Sequence, residues 1–140
     1  MMNTKFLYLI FIALTMGNIT FSQNCENGFT YYPEVPENVN VLDGSTCFAD
    51  NNLEVLNDLI TINSLDYSAP LEVGVQTWLS NQLYGWVATY TPNGVNGVNQ
   101  QLSQLPESMG QLTYLKQLYL EWNSLTILPD SFSQLIALKT

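Results

Sequence analysis

The chain has no arginine and no histidine, and its three lysines stand against 12 acidic residues. Without histidine there is no Ser-His or Cys-His nucleophile pair and no imidazole metal site. A net charge of −9 with so few cations removes nucleic acid as a partner, because counterion release needs a stripe of Lys or Arg. Charged residues make up only 11% of the chain while 46% is hydrophobic, the balance of a folded chain and not of a disordered one. Cysteine is limited to Cys25 and Cys47, and at 140 residues the chain holds one domain or part of one.

Only one unbroken apolar run is present, Phe6 to Leu14, behind Lys5. Crossing a hydrocarbon core of ~30 Å takes about 20 residues, so the run is too short to span. It reads as the core of a signal peptide over residues 1–22, cut between Ser22 and Gln23, with an uncleaved anchor as the alternative. The expectation is a secreted or cell-surface protein whose mature chain has no membrane span and, having lost Lys5, a net charge of −10. Disulfides persist in such a compartment. A Cys25–Cys47 bridge would close a loop of about 23 residues, worth roughly 3 kcal/mol in the loop-entropy account. The enclosed stretch has two prolines and little periodicity, which predicts an irregular loop in need of a staple. The rival role for Cys25 is acylation, but Phe21-Ser22-Gln23-Asn24 before it lacks the pattern that lipidation prefers, and Cys47 would be left a free thiol.

Beyond the loop, Leu53, Leu56, Leu59 and Ile60 recur at helical spacing, with Asp50 or Asn51 as N-cap, Glu54 in the first turn and Asn63-Ser64 at the end. Pro70 then breaks the chain. The period of Leu71–Trp86 is ambiguous, and Gly74 and Gly85 argue against one long helix; the reading is a short helix around Gln76–Leu83 and an extended segment through Tyr90. Pro92-Asn93-Gly94 signals a turn.

The last third repeats itself. Leu102–Lys116 (LSQLPESMGQLTYLK) and Leu125–Lys139 (LTILPDSFSQLIALK) are offset by 23 residues and identical at 8 of 15 positions. An internal period of that size is the signature of a repeat architecture. Between the two blocks, Leu115, Leu118, Leu120, Asn123 and Leu125 fit L-x-x-L-x-L-x-x-N-x-L. Leu118 and Leu120, two apart, share one face of a short strand. Asn123 stands where the chain leaves the strand, and its amide can satisfy backbone groups that a continuing strand would have paired. Pro106 and Pro129, the latter behind Leu128, open the following segment with a fixed φ. Phe132 (or Met109), Leu135 and Leu138 then close the apolar interior.

These motifs resemble the 23-residue LxxLPxSFxxLxxL class of leucine-rich repeats over residues 95–140. Cys47-Phe48, the Leu53–Ile60 helix and the LEVGVQTW stretch resemble the N-terminal cap of secreted bacterial leucine-rich-repeat proteins of Bacteroidota type. The stretch from Trp86 through Gly94-Val95 into LSQLP is similar to the cap-to-repeat junction of plant receptor ectodomains. The resemblance implies an α/β fold: a leucine-rich-repeat solenoid of short parallel strands behind a disulfide-stapled helical cap over residues 23–94. The first repeat departs from the pattern, with Val95, Gly97 and Gln100 where two leucines and an asparagine belong.

Candidate chemistry is thin. Asp66-Tyr67-Ser68-Ala69-Pro70 lacks the alternating oxygens and central glycine of a calcium loop. Glu34 and Glu37 are close enough in sequence to suggest paired carboxylates, but on so acidic a chain they read as solvated surface. Asn93 to Gly97 (NGVNG) lacks the Gly-Lys-Ser/Thr ending of a phosphate loop. No enzyme, metal or cofactor is expected. The expected function is an exported binding module that recognises a protein or surface glycan through its concave face; the alternative is an N-terminal fragment of a longer repeat protein with a structural, capping role. Because one coil cannot bury its own apolar face, the chain is expected to be a fragment or to self-associate through its open C-terminal coil. Gln117, Tyr119, Glu121 and Trp122 are the candidate ligand residues. Tyr119 alternates with the strand leucines, and an exposed Tyr and Trp beside a carboxylate are the types enriched in interface anchors, suited here to a basic or neutral partner. The alternative is a Trp122 folded back on the neighbouring coil and a Tyr119 that is merely solvated.

Overall fold

The computed structural model describes residues 24–139; the signal segment 1–22 and its cleavage point lie outside the described residues. In chain order come β1 (Phe29–Tyr31), β2 (Val39–Val41), β3 (Cys47–Ala49), α1 (Asp50–Asn63), β4 (Val75–Leu79), β5 (Gln82–Val87) and β6 (Gln117–Tyr119). Short 3₁₀ turns cover Pro70–Glu72, Glu107–Gln111 and Asp130–Gln134. β1 and β3 form an antiparallel pair, and the other four strands form a mixed sheet in the order β2-β4-β5-β6. In that sheet β4 and β5 are an antiparallel hairpin, with β2 parallel to β4 and β6 parallel to β5.

The helix follows from its periodicity: Leu53, Val55, Leu56 and Leu59 are buried along one side. Its N-cap is Ala49, with no side-chain cap, in place of the expected Asp50 or Asn51. The entry is closed by backbone instead, the Asp50 N–H donating to Gly28 O at 2.9 Å and the Ala49 N–H to Asn81 O at 2.9 Å. Asp50 is thereby left as a first-turn acid, where the helix dipole favours it. At the far end Ser64 takes a left-handed conformation (φ 51°), and the N–H groups of Ser64 and Leu65 return to Thr61 O and Ile60 O, a Schellman-type closure.

Cys25 and Cys47 are joined in a disulfide with Cα atoms 5.7 Å apart. The loop they close is more regular than expected, since it contains β1 and β2. Each finds its partner outside its own neighbourhood, β1 on β3 and β2 on β4. Among the described residues no helix is long and apolar enough to cross a membrane.

Two expectations are corrected. The first is the helix around Gln76–Leu83, which is a β-hairpin. Leu79 pairs with Gln82 across Ser80 and Asn81, and both turn residues have positive φ (51° and 65°), as a two-residue hairpin turn requires. Gln76 and Trp78 point inward from β4, as do Leu83 and Trp86 from β5. A register shift at Thr77/Trp78 blurs the alternation that would have announced two strands. Gly74 (φ 68°) lies so close to the Val87 carbonyl that a Cβ would collide with it, so the start of β4 closes against the end of β5.

The second correction is the solenoid. A solenoid needs each repeat to add an equivalent strand to one parallel ladder. Here only Gln117–Tyr119 of the repeated region forms a strand, the second block forms none, and the sheet it joins is mixed. Among the described residues the fold is a small α/β unit of one helix and two sheets. The register also differs from the one expected. The segment that pairs with β6 is β5, with Gly85 opposite Gln117, and not residues 95–100. Val95 is 58% exposed, and Gly97 is packed so tightly on the Thr89 carbonyl that a Cβ would collide. What the repeated sequence does produce is a pair of like turns. Pro106 (φ −72°, ψ 154°) and Pro129 (φ −66°, ψ 153°) lead into the two five-residue 3₁₀ segments.

The core collects Phe48, Trp78 and Trp86 with Leu53, Leu56 and Leu59 of α1 and Leu102, Met109, Leu112 and Leu115 of the first block. Phe48 meets Trp78 edge-on at 4.8 Å between ring centroids, and burying a Phe side chain of this kind contributes up to about 3 kcal/mol. Both buried indoles are satisfied, Trp78 donating to Gln76 Oε1 and Trp86 to Val73 O, each at 3.0 Å. In the second block only Leu135 is buried, with Leu125, Phe132 and Leu138 half-buried against the core as are Leu118 and Leu120 of the strand before it, and Leu128 is 48% exposed.

Candidate functional site

The face of the mixed sheet that turns away from α1 is open, and β5, β6 and the turn after β6 define it. Since alternate strand residues face opposite ways, the inward Trp86 and Ala88 place Val87 and Thr89 outward, and the half-buried Leu118 and Leu120 do the same for Gln117, Tyr119 and Glu121. Gln117, Tyr119, Glu121 and Trp122 are all exposed. Val87, Thr89, Tyr119, Glu121 and Trp122 together line a shallow hollow of about 470 Å³. Gln117 lies beside it, over Gly85, while the Lys116 ammonium sits 5.0 Å above the Tyr84 ring.

The backbone under these side chains is pinned. Ala88 N–H donates to Tyr119 O at 2.8 Å and Tyr90 N–H to Glu121 O at 3.0 Å. Asn123 holds the exit from β6: its Nδ2 donates to Ala88 O (2.7 Å) and Leu120 O (3.0 Å), and its Oδ1 accepts from Leu102 N–H (2.8 Å). Leu115, at the other end of the motif, is fully buried.

Trp122 is the unusual residue. It has φ 62°, a region in which a bulky side chain is an outlier costing about 1–2 kcal/mol. Its carbonyl is fixed by Gln101 Nε2 at 2.8 Å, yet its own side chain is 77% exposed. The surrounding bonds hold it so that the ring stands clear of the core, and not folded back on the neighbouring segment. Tyr119 is 45% exposed.

Glu121 is oriented by Thr89, whose hydroxyl donates to Glu121 Oε2 at 2.5 Å and holds the carboxyl below its ordinary pKa. The hollow therefore presents two aromatic faces, a fixed negative charge and, beside them, an amide. That set can stack on and hydrogen-bond a partner. Reading the sequence alone missed Tyr84, Val87, Thr89 and Lys116. The available signal was the β5 alternation, which puts Val87 and Thr89 on the face opposite Trp86 and Ala88.

Elsewhere, Glu34 and Glu37 are both exposed. Asp66–Pro70 is organised by Glu72, whose carboxylate accepts from the Ser68 N–H (2.8 Å), the Ser68 hydroxyl (3.0 Å) and the Ala69 N–H (3.3 Å). These bonds, those from Ser68 first, hold Glu72 below its usual pKa. Comparison with protein-family models, with curated proteins and with solved structures finds no match.

Proposed function

We propose that this chain is an exported recognition module that holds a partner protein against the open face of its mixed sheet, with Tyr119 and Trp122 as anchors and Glu121 selecting a basic or neutral segment. The observation that carries the reading is Trp122: a tryptophan 77% exposed at φ 62° gains nothing for the fold and accepts backbone strain, and strain of that kind is stored where a side chain is needed for contact. The Cys25–Cys47 bridge supports export, since disulfides persist outside the reducing cytosol. The described residues carry 12 acidic groups against Lys116 and Lys139, a field that favours and speeds encounter with a cationic segment. Kinship with leucine-rich repeats of the LxxLPxSFxxLxxL class belongs to the same proposal; its support is the 23-residue echo in sequence and the two like proline-led turns.

The test uses a random displayed-peptide library selected on the disulfide-intact chain. Binders should be rich in Lys and Arg, and their affinity should fall at least about 30-fold in Y119A/W122G, the loss that removing an anchor worth ~2 kcal/mol produces. The W122G exchange removes the strained side chain at a site where glycine is at ease, so the variant should stay as stable as the parent. Full-strength binding by the folded double variant would refute the assignment.

A further inference from the structure

A second hollow lies beside the start of β4, between Glu37 and Tyr67 on one side and the segment that follows β5 on the other. Between β5 and the 3₁₀ turn at Glu107–Gln111 the chain makes a detour, Thr91–Asn99. The register across β5 and β6 is 32 residues, Gly85 to Gln117, against 23 between the repeated blocks, and the detour accounts for the difference. It is built tightly. Thr91 N–H donates to Val98 O and Val98 N–H to Thr89 O, both at 2.9 Å, and Gly94 N–H returns to Thr91 O at 2.8 Å. The Thr91 hydroxyl bonds Val95 O at 3.1 Å, and Asn93 Oδ1 accepts from Val95 N–H at 3.2 Å. Asn96 is held at φ 59°.

This braced loop walls an open cleft of about 490 Å³, bordered on the other sides by Glu37, Tyr67 and Glu72, a volume within the roughly 300–1,000 Å³ typical of small-molecule sites. Several polar groups of its lining are uncommitted. The Glu37 carboxylate and the side-chain amides of Asn96 and Asn99 have no hydrogen-bond partner among the described residues. Tyr67 Oη accepts the Asn99 N–H at 3.1 Å, which leaves its own proton to donate.

We propose that this cavity binds a neutral saccharide, held by the Glu37 carboxylate, the Asn96 and Asn99 amides and the Tyr67 hydroxyl and ring. Each choice follows from chemistry. A carboxylate can accept from two adjacent hydroxyls, an amide donates and accepts at once, and an aromatic face covers the apolar side of a sugar ring. No cation lines the cavity, and Glu72 stands across it as a second carboxylate, so a phosphorylated or sulfated ligand is repelled. No cluster of three or more metal-ligating groups exists among the described residues, so a hydroxyl-rich, uncharged ligand fits better than a metal ion. The detour pre-forms the wall, which lowers the ordering cost of binding a flexible sugar.

The site does not depend on the Tyr119–Trp122 face, and the test separates the two. Amide NMR spectra of the disulfide-intact chain are recorded with maltotriose, cellotriose and mannotriose in turn, and with calcium chloride and spermine. The expected result is a saturable shift of the Asn93–Asn99 amides with at least one trisaccharide, weakened about tenfold or more, some 1.4 kcal/mol, in E37A/N96G and unchanged in Y119A/W122G. Asn96→Gly keeps the positive-φ backbone, and Glu37 supports no other residue, so E37A/N96G should fold. Silence with all three sugars, shifts centred on Tyr119 and Trp122, undiminished binding by E37A/N96G, or shifts of these amides by calcium or spermine alone would each overturn the proposal.

Discussion

Gln76 offers the sharpest test of the core. It is fully buried on β4, a polar side chain among Trp78, Trp86 and Leu71. Its Nε2 donates to Pro70 O at 2.8 Å and Val73 O at 3.1 Å, and its Oε1 accepts from Trp78 Nε1 at 3.0 Å. Replacing it by leucine keeps the volume and deletes all three bonds. The two carbonyls fare tolerably, because Trp86 still donates to Val73 O at 3.0 Å and the Val73 N–H still reaches Pro70 O at 3.3 Å. The Trp78 indole N–H, wholly buried, is left with nothing. One orphaned buried donor costs about 1–3 kcal/mol and each lost bond about 1 kcal/mol more, offset in part by leucine's apolar surface, so Q76L should lose about 2–4 kcal/mol. Urea unfolding should show this as a lower midpoint at unchanged slope. In a cycle with W78F, which removes the orphaned donor, the two changes should couple by about 1–2 kcal/mol, the double variant being more stable than the sum implies. A Q76L variant within about 0.5 kcal/mol of the parent, or strict additivity with W78F, would show that the network has no such weight.

Three further outcomes are expected. Exchanging Cys25 and Cys47 for serine should lower stability by roughly 3 kcal/mol, read by thermal unfolding with and without reductant, and the reductant should have no effect on the variant. Asp43, held below its usual pKa by the backbone N–H groups of Ser45 and Ser80, and Glu72, held low by Ser68 and Ala69, stabilise the fold above the ordinary carboxylate pKa of about 4 and lose that contribution as pH falls through their lowered values. The stability gap between the parent and D43N/E72Q, measured by urea unfolding, should therefore shrink on acidification. Finally, Ile127 and Ile136 are 75% and 85% exposed, so any self-association seen by sedimentation at high concentration should diminish in I127E/I136E, and an unchanged distribution would place the contact elsewhere.

Much of this protein is written locally. The α1 pattern of Leu53, Leu56 and Leu59 announces a helix because three to four residues make a turn, and neighbours along the chain decide which side is buried. The staple needs only two cysteines and an oxidising compartment. Asn123 was legible as a residue for turning out of a strand, since its amide does there what a ladder would have done, and the 23-residue echo returns as two turns led by Pro106 and Pro129. The alternation of Leu118, Tyr119 and Leu120 likewise located the exposed tyrosine. Sheet partners are different, because pairing is settled between segments far apart. The hairpin was hidden by a bulge at Thr77/Trp78 and by a Ser80-Asn81 turn without glycine, and its buried Gln76 looks polar until Pro70, Val73 and Trp78 surround it. That β6 pairs with β5, and not with residues 95–100, depends on the detour through Gly97, which packs against Thr89 only once the sheet has formed. Hydrogen bonding between strands is indifferent to sequence distance, so the mixed sheet, the detour and the two hollows beside it were decided by the tertiary structure alone.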